Sequence, residues 1–517
     1  MGVINMHTYE NPVMRGFYPD PSVVRVGEDY YLVNSTFQYF PAIPIHHSKD
    51  LVHWECIGHV ITEDDQMDLR GLADSNGIWA CDISYYNGEF YVFATLRLDD
   101  PPANPPEALR KVVTFKSDKP EGPYRRMGIL DINFIDPSHF VDDDGSHYAV
   151  TAVGLTITKL TDDCSALDGP IIQAWPGTGD RCPEGPHILK KDGWYYAILA
   201  EGGTGMGHKI NVGRSRHLYG PYEACPHNPI MNQPDPSQPI QRTGHGKFVQ
   251  TQNGDWWVMY LCGRKNGDLQ LTTLGRETAL DPVTWDEEGW PMVNQLQGPS
   301  YIQQAPDLPW TPYPVPGPRD DFDQEQLAPC WIHVRNPKRE EISLTKRPGW
   351  LTLRACPYDL CELEAYNQIL RREQEFCYTG ETLLEMTPEK DGQEAGLTCY
   401  YGTACYMKAA FVRDQGLKVR LTKNDNREFT VLGEACLPEN TQRIWLRVQV
   451  EGLRRVFFYS LDGEKFTEVG REEAATYLGD EGVRVSKSFT GTMVGMYAYN
   501  PYPQYPVEAC FDWFSME

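Results

Sequence analysis

Asn87-Gly88-Glu89-Phe90-Tyr91 is one of five stretches of the same kind in the first three hundred residues of the chain. The others are Gly27-Glu28-Asp29-Tyr30-Tyr31, Asp144-Gly145-Ser146-His147-Tyr148, Asp192-Gly193-Trp194-Tyr195-Tyr196 and Asn253-Gly254-Asp255-Trp256-Trp257. Each is a polar turn with a glycine, followed by aromatic residues. Short apolar runs flank them, such as Ser22-Val23-Val24-Arg25-Val26 and Lys247-Phe248-Val249-Gln250. Asn-Gly and Asp-Gly between such runs signal tight hairpins, because these residues tolerate positive φ. Five copies about fifty to sixty residues apart fit blades of four strands. Long helical periodicity is scarce. The pattern predicts an all-β, five-bladed β-propeller over residues 1–307. An irregular sandwich of hairpins is the weaker alternative, since it gives no reason for five similar aromatic tails.

The register of the repeat carries more information than its existence. Counting back nine residues from the turn glycine leads from Gly88 to Trp79, from Gly145 to Asp136, from Gly193 to Glu184 and from Gly254 to His245. In the first copy the hairpin is shorter, and Asp20 lies seven residues before Gly27. These positions are equivalent if the repeats are blades, and they fall at the start of the strand that leads into each hairpin. The innermost strands of a propeller line its central channel. Five blades are therefore expected to aim Asp20, Trp79, Asp136, Glu184 and His245 at one point.

The chain changes character at Leu308. Pro309, Pro312, Pro314, Pro316 and Pro318 crowd the segment 308–319, which reads as a stiff extended linker. Beyond it, Trp350-Leu351-Thr352-Leu353-Arg354, Leu417-Lys418-Val419-Arg420-Leu421 and Ile444-Trp445-Leu446-Arg447-Val448-Gln449-Val450 alternate as strands do, with turn signals at short spacing. Residues 320–517 are expected to form a β-sandwich.

At 517 residues the chain is too long for one hydrophobic core, which agrees with two domains. The formal charge of −25 argues against a nucleic acid or an anionic membrane as partner, because both need clustered Lys and Arg. It suits a neutral or cationic ligand, and a homo-oligomer remains open. The fourteen cysteines are scattered singly, without zinc-knuckle spacing or a disulfide framework. The opening Met1-Gly2-Val3-Ile4-Asn5-Met6-His7 has no basic stretch followed by an apolar one. A cytoplasmic location is the expectation.

No phosphate-cradling loop, Gly-x-Ser-x-Gly elbow or His-Glu-x-x-His helix is present. Gly202-Gly203-Thr204-Gly205-Met206-Gly207 lacks a P-loop lysine and reads as a blade loop. What remains is three carboxylates, the groups that glycoside cleavage needs: one protonated to give up a proton, one ionised to activate water or attack. Asp20, Asp136 and Glu184 each have proline neighbours, which are expected to hold the backbone extended and so fix where the carboxyl points. Trp79 is suited to stack on a sugar face. Any one of these residues taken alone is more often structural. Asp-Pro-Ser is usually a turn device, a lone Trp is usually core, and a lone His is usually a satisfied buried group. Their matched register favours function.

The residues resemble glycoside hydrolase family 43. The motifs that carry the resemblance are Gly16-Phe17-Tyr18-Pro19-Asp20-Pro21-Ser22, Phe40-Pro41-Ala42-Ile43-Pro44-Ile45-His46-His47-Ser48-Lys49-Asp50-Leu51, Gly77-Ile78-Trp79-Ala80, Asp136-Pro137-Ser138, Glu184-Gly185-Pro186-His187, Gly244-His245-Gly246 and Leu274-Gly275-Arg276-Glu277-Thr278. Phe511-Asp512-Trp513-Phe514 resembles the closing strand of the two-domain β-xylosidase branch, whose sandwich is a concanavalin-like jelly roll. The resemblance implies an inverting mechanism with Asp20 as general base, Glu184 as general acid and Asp136 tuning and orienting the acid. It implies that Arg276, Trp79, Phe37 and His245 bind substrate. It requires no cofactor, but leaves room for a divalent cation, calcium, in the propeller channel, supported by His245 through water. Where relatives read Ile-Trp-Ala-Pro, this chain has Cys81, a thiol expected beside the pocket wall.

The implied activity is release of xylose from the end of xylo-oligosaccharides. An α-L-arabinofuranosidase or a dual enzyme is the alternative within the family. A non-catalytic carbohydrate-binding propeller and a retaining fructan hydrolase are the alternatives outside it.

Overall fold

The structure is a computed structural model describing residues 7–98, 109–267, 271–314 and 317–517. The N-terminal residues 1–6 read above, and Val315 and Pro316 of the proline-rich segment, lie outside the described residues. Among the described residues there is no α-helix, only short 3-10 turns, and no helix long and apolar enough to cross a membrane.

Five antiparallel sheets follow one another along the chain, each with its four main strands in sequence order. Their innermost strands are Ser22–Val26, Gly77–Tyr86, Ile135–Val141, Glu184–Lys191 and Ile240–Gln250, and we number the blades I to V in that order. Each innermost strand touches the next, and that of blade V returns to that of blade I, so the ring is closed. The predicted hairpins join first to second strands: Tyr86 pairs with Glu89 across Asn87-Gly88, and Lys191 with Trp194 across Asp192-Gly193. Asn87 and Asp192 take φ near 50°, followed by glycines at 84° and 72°. This double left-handed turn is what Asn-Gly and Asp-Gly supply at low cost. The aromatic tails pack between blades, as Tyr196 and Trp256 do against Trp285 where blade IV meets blade V.

The ring is fastened at its ends. Thr8–Glu10 pairs with Ile302–Gln304, and the Asn11 side chain exchanges hydrogen bonds with the backbone of Leu280 at 2.8 and 2.9 Å.

The C-terminal part is a two-sheet sandwich. One sheet contains Leu351–Arg354, Glu508–Met516, Cys377–Met386, Arg443–Glu451 and Arg454–Ser460. The other contains Gln368–Arg372, Met493–Tyr499, Glu394–Gly402, Cys405–Arg413, Leu417–Asp425 and Glu428–Cys436. Their facing side chains form one core that includes Leu384, Leu397, Phe411, Leu446 and Phe511.

The two domains interlock. His333–Val334 of the sandwich pairs as a short strand with Tyr39–Phe40 of the propeller. Phe17, Phe37 and Tyr39 share a core with Val334, Leu370, Tyr400 and Tyr497. Beside this core the Arg335 guanidinium is buried against Asp74 at 3.0 Å and donates to the Leu72 carbonyl at 2.6 Å. Asp74 also accepts from the Thr403 backbone N–H and hydroxyl at 2.7 and 2.6 Å. Replacing Asp74 with Ala leaves a guanidinium buried without its counter-charge. The expected cost is about 3–5 kcal/mol, read as a fall in the unfolding midpoint in urea. An unchanged midpoint would show that this pair does not hold the interface.

Candidate active site

Asp20, Phe37, Trp79, Asp136, Glu184, His245 and Arg276 all line one pocket at the mouth of the propeller channel. It holds about 90 Å³ and is completed by Ala80, Ile135, Thr204, His208 and Phe489. This is well below the roughly 300–1,000 Å³ of sites for drug-sized ligands, too small to enclose an oligosaccharide chain. A larger cavity of about 760 Å³ lies on the sandwich among Arg347, Glu385, Arg443 and Glu508, far from this carboxyl cluster.

Local backbone geometry explains the convergence. In blades II to V the innermost strand breaks register with its neighbour where the site residue stands: between Ile78 and Cys81, Ile135 and Ser138, Glu184 and His187, and Gly244 and Gly246. A bulge of this kind turns a side chain out of the alternating pattern. Asp20, Phe37, Asp136 and His245 have φ of 51°, 53°, 54° and 45°, in the left-handed region. Such backbone is costly for residues with a Cβ and concentrates at functional sites. The expectation that prolines hold Asp20 and Asp136 extended is therefore corrected. The proline that follows each aspartate is accommodated by a left-handed residue, and it is this kink that aims the carboxyl inward.

The carboxyl groups sit in contrasting environments. Asp20 is buried and accepts from Arg276 Nη1 at 2.9 Å and from the Ser35 hydroxyl, and His245 Nδ1 lies 3.9 Å away. Burial pushes its pKa up, but Arg276, His245 and Ser35 outweigh it and leave the carboxyl below its ordinary value. Asp136 accepts the Gly185 N–H at 2.9 Å and lies 4.0 Å from His245 Nδ1. Burial, together with the negative charges of Glu184 and Asp20, raises its pKa to about 7 despite His245. Glu184 keeps 22% of its side-chain surface. It is raised to about 7, first by burial and then by Asp20, with Arg276 and Arg181 pulling the other way. One pocket thus holds an ionised carboxylate beside carboxyls that retain a proton near neutrality.

One expectation changes. Cys81 is buried in the blade I–II core rather than in the pocket wall, because Ala80 is the residue the bulge turns outward. Burial and the carboxylates of Asp20 and Asp82 push its thiol pKa far up, so it is not a reactive group. Deeper in the channel, the carboxylate that a divalent cation would seek is already engaged. Beneath His245, the buried Asp82 carboxylate receives the Lys247 ammonium at 2.5 Å, and Lys247 also donates to the Ile83 carbonyl at 2.7 Å and the Ser22 hydroxyl at 3.1 Å. An ion seeking these oxygens would meet a fixed positive charge already bonded to them.

Residues that sequence reasoning did not select complete the site. Phe489 comes from the sandwich, 5.3 Å from Trp79 and 6.2 Å from Phe37 between ring centres, and its carbonyl accepts from Arg276 Nη2 at 3.0 Å. Thr204 and His208 come from the glycine-rich loop read as a plain blade connection. The glycines and threonine gave no chemical signal, but His208, just past the quoted run, did.

Residues 9–291 match the family model for glycosyl hydrolases family 43, and residues 319–517 match that of a beta xylosidase C-terminal concanavalin A-like domain. The chain belongs to glycosyl hydrolases family 43 and is a glycoside hydrolase. The crystal structure of the GH43 BlXynB protein from Bacillus licheniformis is 50% identical, superposes with a TM-score of 0.94 and covers 99% of each chain. Among curated proteins, a xylan 1,3-beta-xylosidase from a Vibrio species is 34% identical, over 95% of this chain and 96% of that protein. The non-reducing end alpha-L-arabinofuranosidase BoGH43B of Bacteroides ovatus is 33% identical, over 98% and 94%.

Removing the ring that the sandwich lends to the pocket should cost activity without unfolding the chain. Phe489→Ala is expected to lower kcat/KM by roughly tenfold or more, with an unchanged melting temperature, in steady-state assays on a nitrophenyl pentoside. A wild-type kcat/KM would show that the ring does not contact the substrate.

Proposed function

We propose that the chain is an inverting, exo-acting β-D-xylosidase that releases xylose from the non-reducing end of xylo-oligosaccharides. Asp20 is the general base that takes a proton from water, and Glu184 is the general acid that protonates the leaving oxygen. Asp136 tunes and orients the acid: it shares with Glu184 the burial that raises both carboxyls, and it fixes the adjoining backbone through the Gly185 N–H. Arg276 keeps Asp20 ionised, while Phe37, Trp79 and Phe489 enclose the sugar ring and His245 borders it. The observation that carries this reading is the opposite displacement of two carboxyls in one small pocket, Asp20 downward and Glu184 upward. Direct displacement needs an ionised base and a protonated acid at once. A pocket too small to enclose a chain supports removal of terminal units, and the xylosidase names of the C-terminal domain model and of the Vibrio relative support xylose. The Bacteroides relative keeps arabinofuranose as the second reading.

Four measurements test the assignment. Asp20→Asn and Glu184→Gln are each expected to lose most activity, roughly a hundredfold or more. The Glu184 variant should lose least on aryl glycosides with good leaving groups, and equal losses on good and poor leaving groups would count against Glu184 as the acid. Following the released sugar by NMR should show inversion at the anomeric carbon, and retention would overturn the mechanism. A rate on nitrophenyl arabinofuranoside far above that on nitrophenyl xyloside would move the assignment to arabinose. Binding of xylo-oligosaccharides without release of sugar would favour a binding protein.

The pH profile follows from the same groups. Activity should fall as pH rises through about 7, where the Asp136 and Glu184 carboxyls give up their proton, and again on the acid side, below the ordinary aspartate range, where Asp20 takes one up. A kcat/KM that stays flat from pH 6 to 9 would be incompatible with a Glu184 acid.

A further inference from the structure

We propose that His208 is a positioning residue for the acid: its Nε2 accepts the O–H of protonated Glu184 and so keeps the proton on that carboxyl until the leaving oxygen takes it. This rests on Glu184 being the general acid.

Three observations converge on His208. The first is its tautomer. His208 is buried, with 2% of its surface exposed, and its Nδ1 lies 3.1 Å from the Arg242 carbonyl. A carbonyl only accepts, so Nδ1 carries the hydrogen and Nε2 is left as a bare acceptor. The second is that Nε2 is buried without a hydrogen-bond partner in the protein. An acceptor left in that state is costly, so a donor is expected to reach it when the site is at work. The third is what it faces. Glu184 Oε1 stands 4.0 Å from Nε2, and a modest rotation of the glutamate side chain closes that gap to hydrogen-bond length.

The neighbouring charged groups leave the acid as the natural donor. Asp20 is ionised and donates nothing. Arg276 is directed to Asp20 and to the Phe489 carbonyl. Asp136 is turned to the Gly185 N–H and His245, and Arg181 acts on Glu184 only through its charge. The O–H of Glu184 remains. Once that proton has gone, the carboxylate faces the same lone pair and is disfavoured, so the contact favours the protonated acid in particular. Burial drives the imidazole pKa down to about 3, so His208 shares the proton without taking it. During cleavage the proton passes from Glu184 to the glycosidic oxygen as its bond to the anomeric carbon breaks. Water adds to that carbon and gives its proton to Asp20. His208 begins and ends neutral.

The surroundings hold the ring in this role. A Cβ on Gly244 would come within 2.4 Å of His208 ring atoms, so only glycine lets the imidazole sit there. Arg242, whose carbonyl fixes the tautomer, has a left-handed φ of 59°. Its guanidinium is pinned to Asp480 of the sandwich at 2.9 Å and to the Thr204 carbonyl at 2.6 Å.

The test compares His208→Ala and His208→Gln with the wild type, by pH profile and by leaving group. His208→Ala is expected to move the basic limb of kcat down by about one pH unit, and to lose roughly tenfold at pH 7 on xylobiose, with little change in KM. On a nitrophenyl xyloside the loss should be small. The amide oxygen of His208→Gln can still accept, so this variant should recover much of the limb, and it guards against misfolding in the alanine variant. A raised KM with an unmoved basic limb, and equal losses on both substrates, would overturn the proposal and assign Nε2 to a sugar hydroxyl. Glu184→Gln is measured on the same pair of substrates. If its loss is independent of the leaving group, the acid assignment itself falls. If that loss depends on the leaving group while the His208→Ala limb stays put, only the role of His208 is lost.

Discussion

Three carboxyl groups meet in one pocket, and their mutual repulsion is the constraint the active end of the molecule is built around. Left alone, Asp20, Asp136 and Glu184 would all be driven to the neutral form, and no base would survive. The protein answers with positive charge and donors placed unequally. Arg276 and Ser35 serve Asp20, the Gly185 N–H serves Asp136, and Glu184 receives little. That inequality leaves one carboxyl ionised beside two that keep a proton near neutrality, the division that the proposed base and acid require. Deeper in the channel the same problem recurs at Asp82, and there a lysine ammonium from blade V neutralises it.

A closed ring of five blades is what brings these groups together. Each innermost strand contributes at a similar height, and four of the five carry a bulge at that height. Bulges and left-handed residues are expensive where they do nothing. Their concentration at the channel mouth means the surrounding sheets hold the backbone there against its own preference.

Much of this was legible in the sequence, because propeller repeats leave a periodic trace. The hairpin glycines mark the blades, and a fixed count back from them reaches Trp79, Asp136, Glu184 and His245. What the repeat does not encode was harder to see. The left-handed turn at Asp20 and Asp136 contradicts the extended preference of a residue before proline, and only the ring's closure imposes it. Lys247 reads as an ordinary alternating charge in a strand, and its place beside Asp82 depends on two blades meeting. Phe489 lies in a stretch of the sandwich with no repeat to index it. His208 follows a glycine-rich run with no lysine directly after its last glycine, so neither a phosphate loop nor a repeat position marks it.

The sandwich does more than follow the propeller. It supplies a strand to the propeller's Tyr39–Phe40 edge, an aromatic wall to the pocket and, through Asp480, the anchor for Arg242. For anyone building chimaeras from relatives of this chain, the proline-rich junction is therefore a misleading place to cut. Exchanging the C-terminal half there would also exchange part of the pocket wall and the partner that anchors Arg242. The two halves are constrained to vary together, and a library that shuffles them freely would mostly sample mismatched seams.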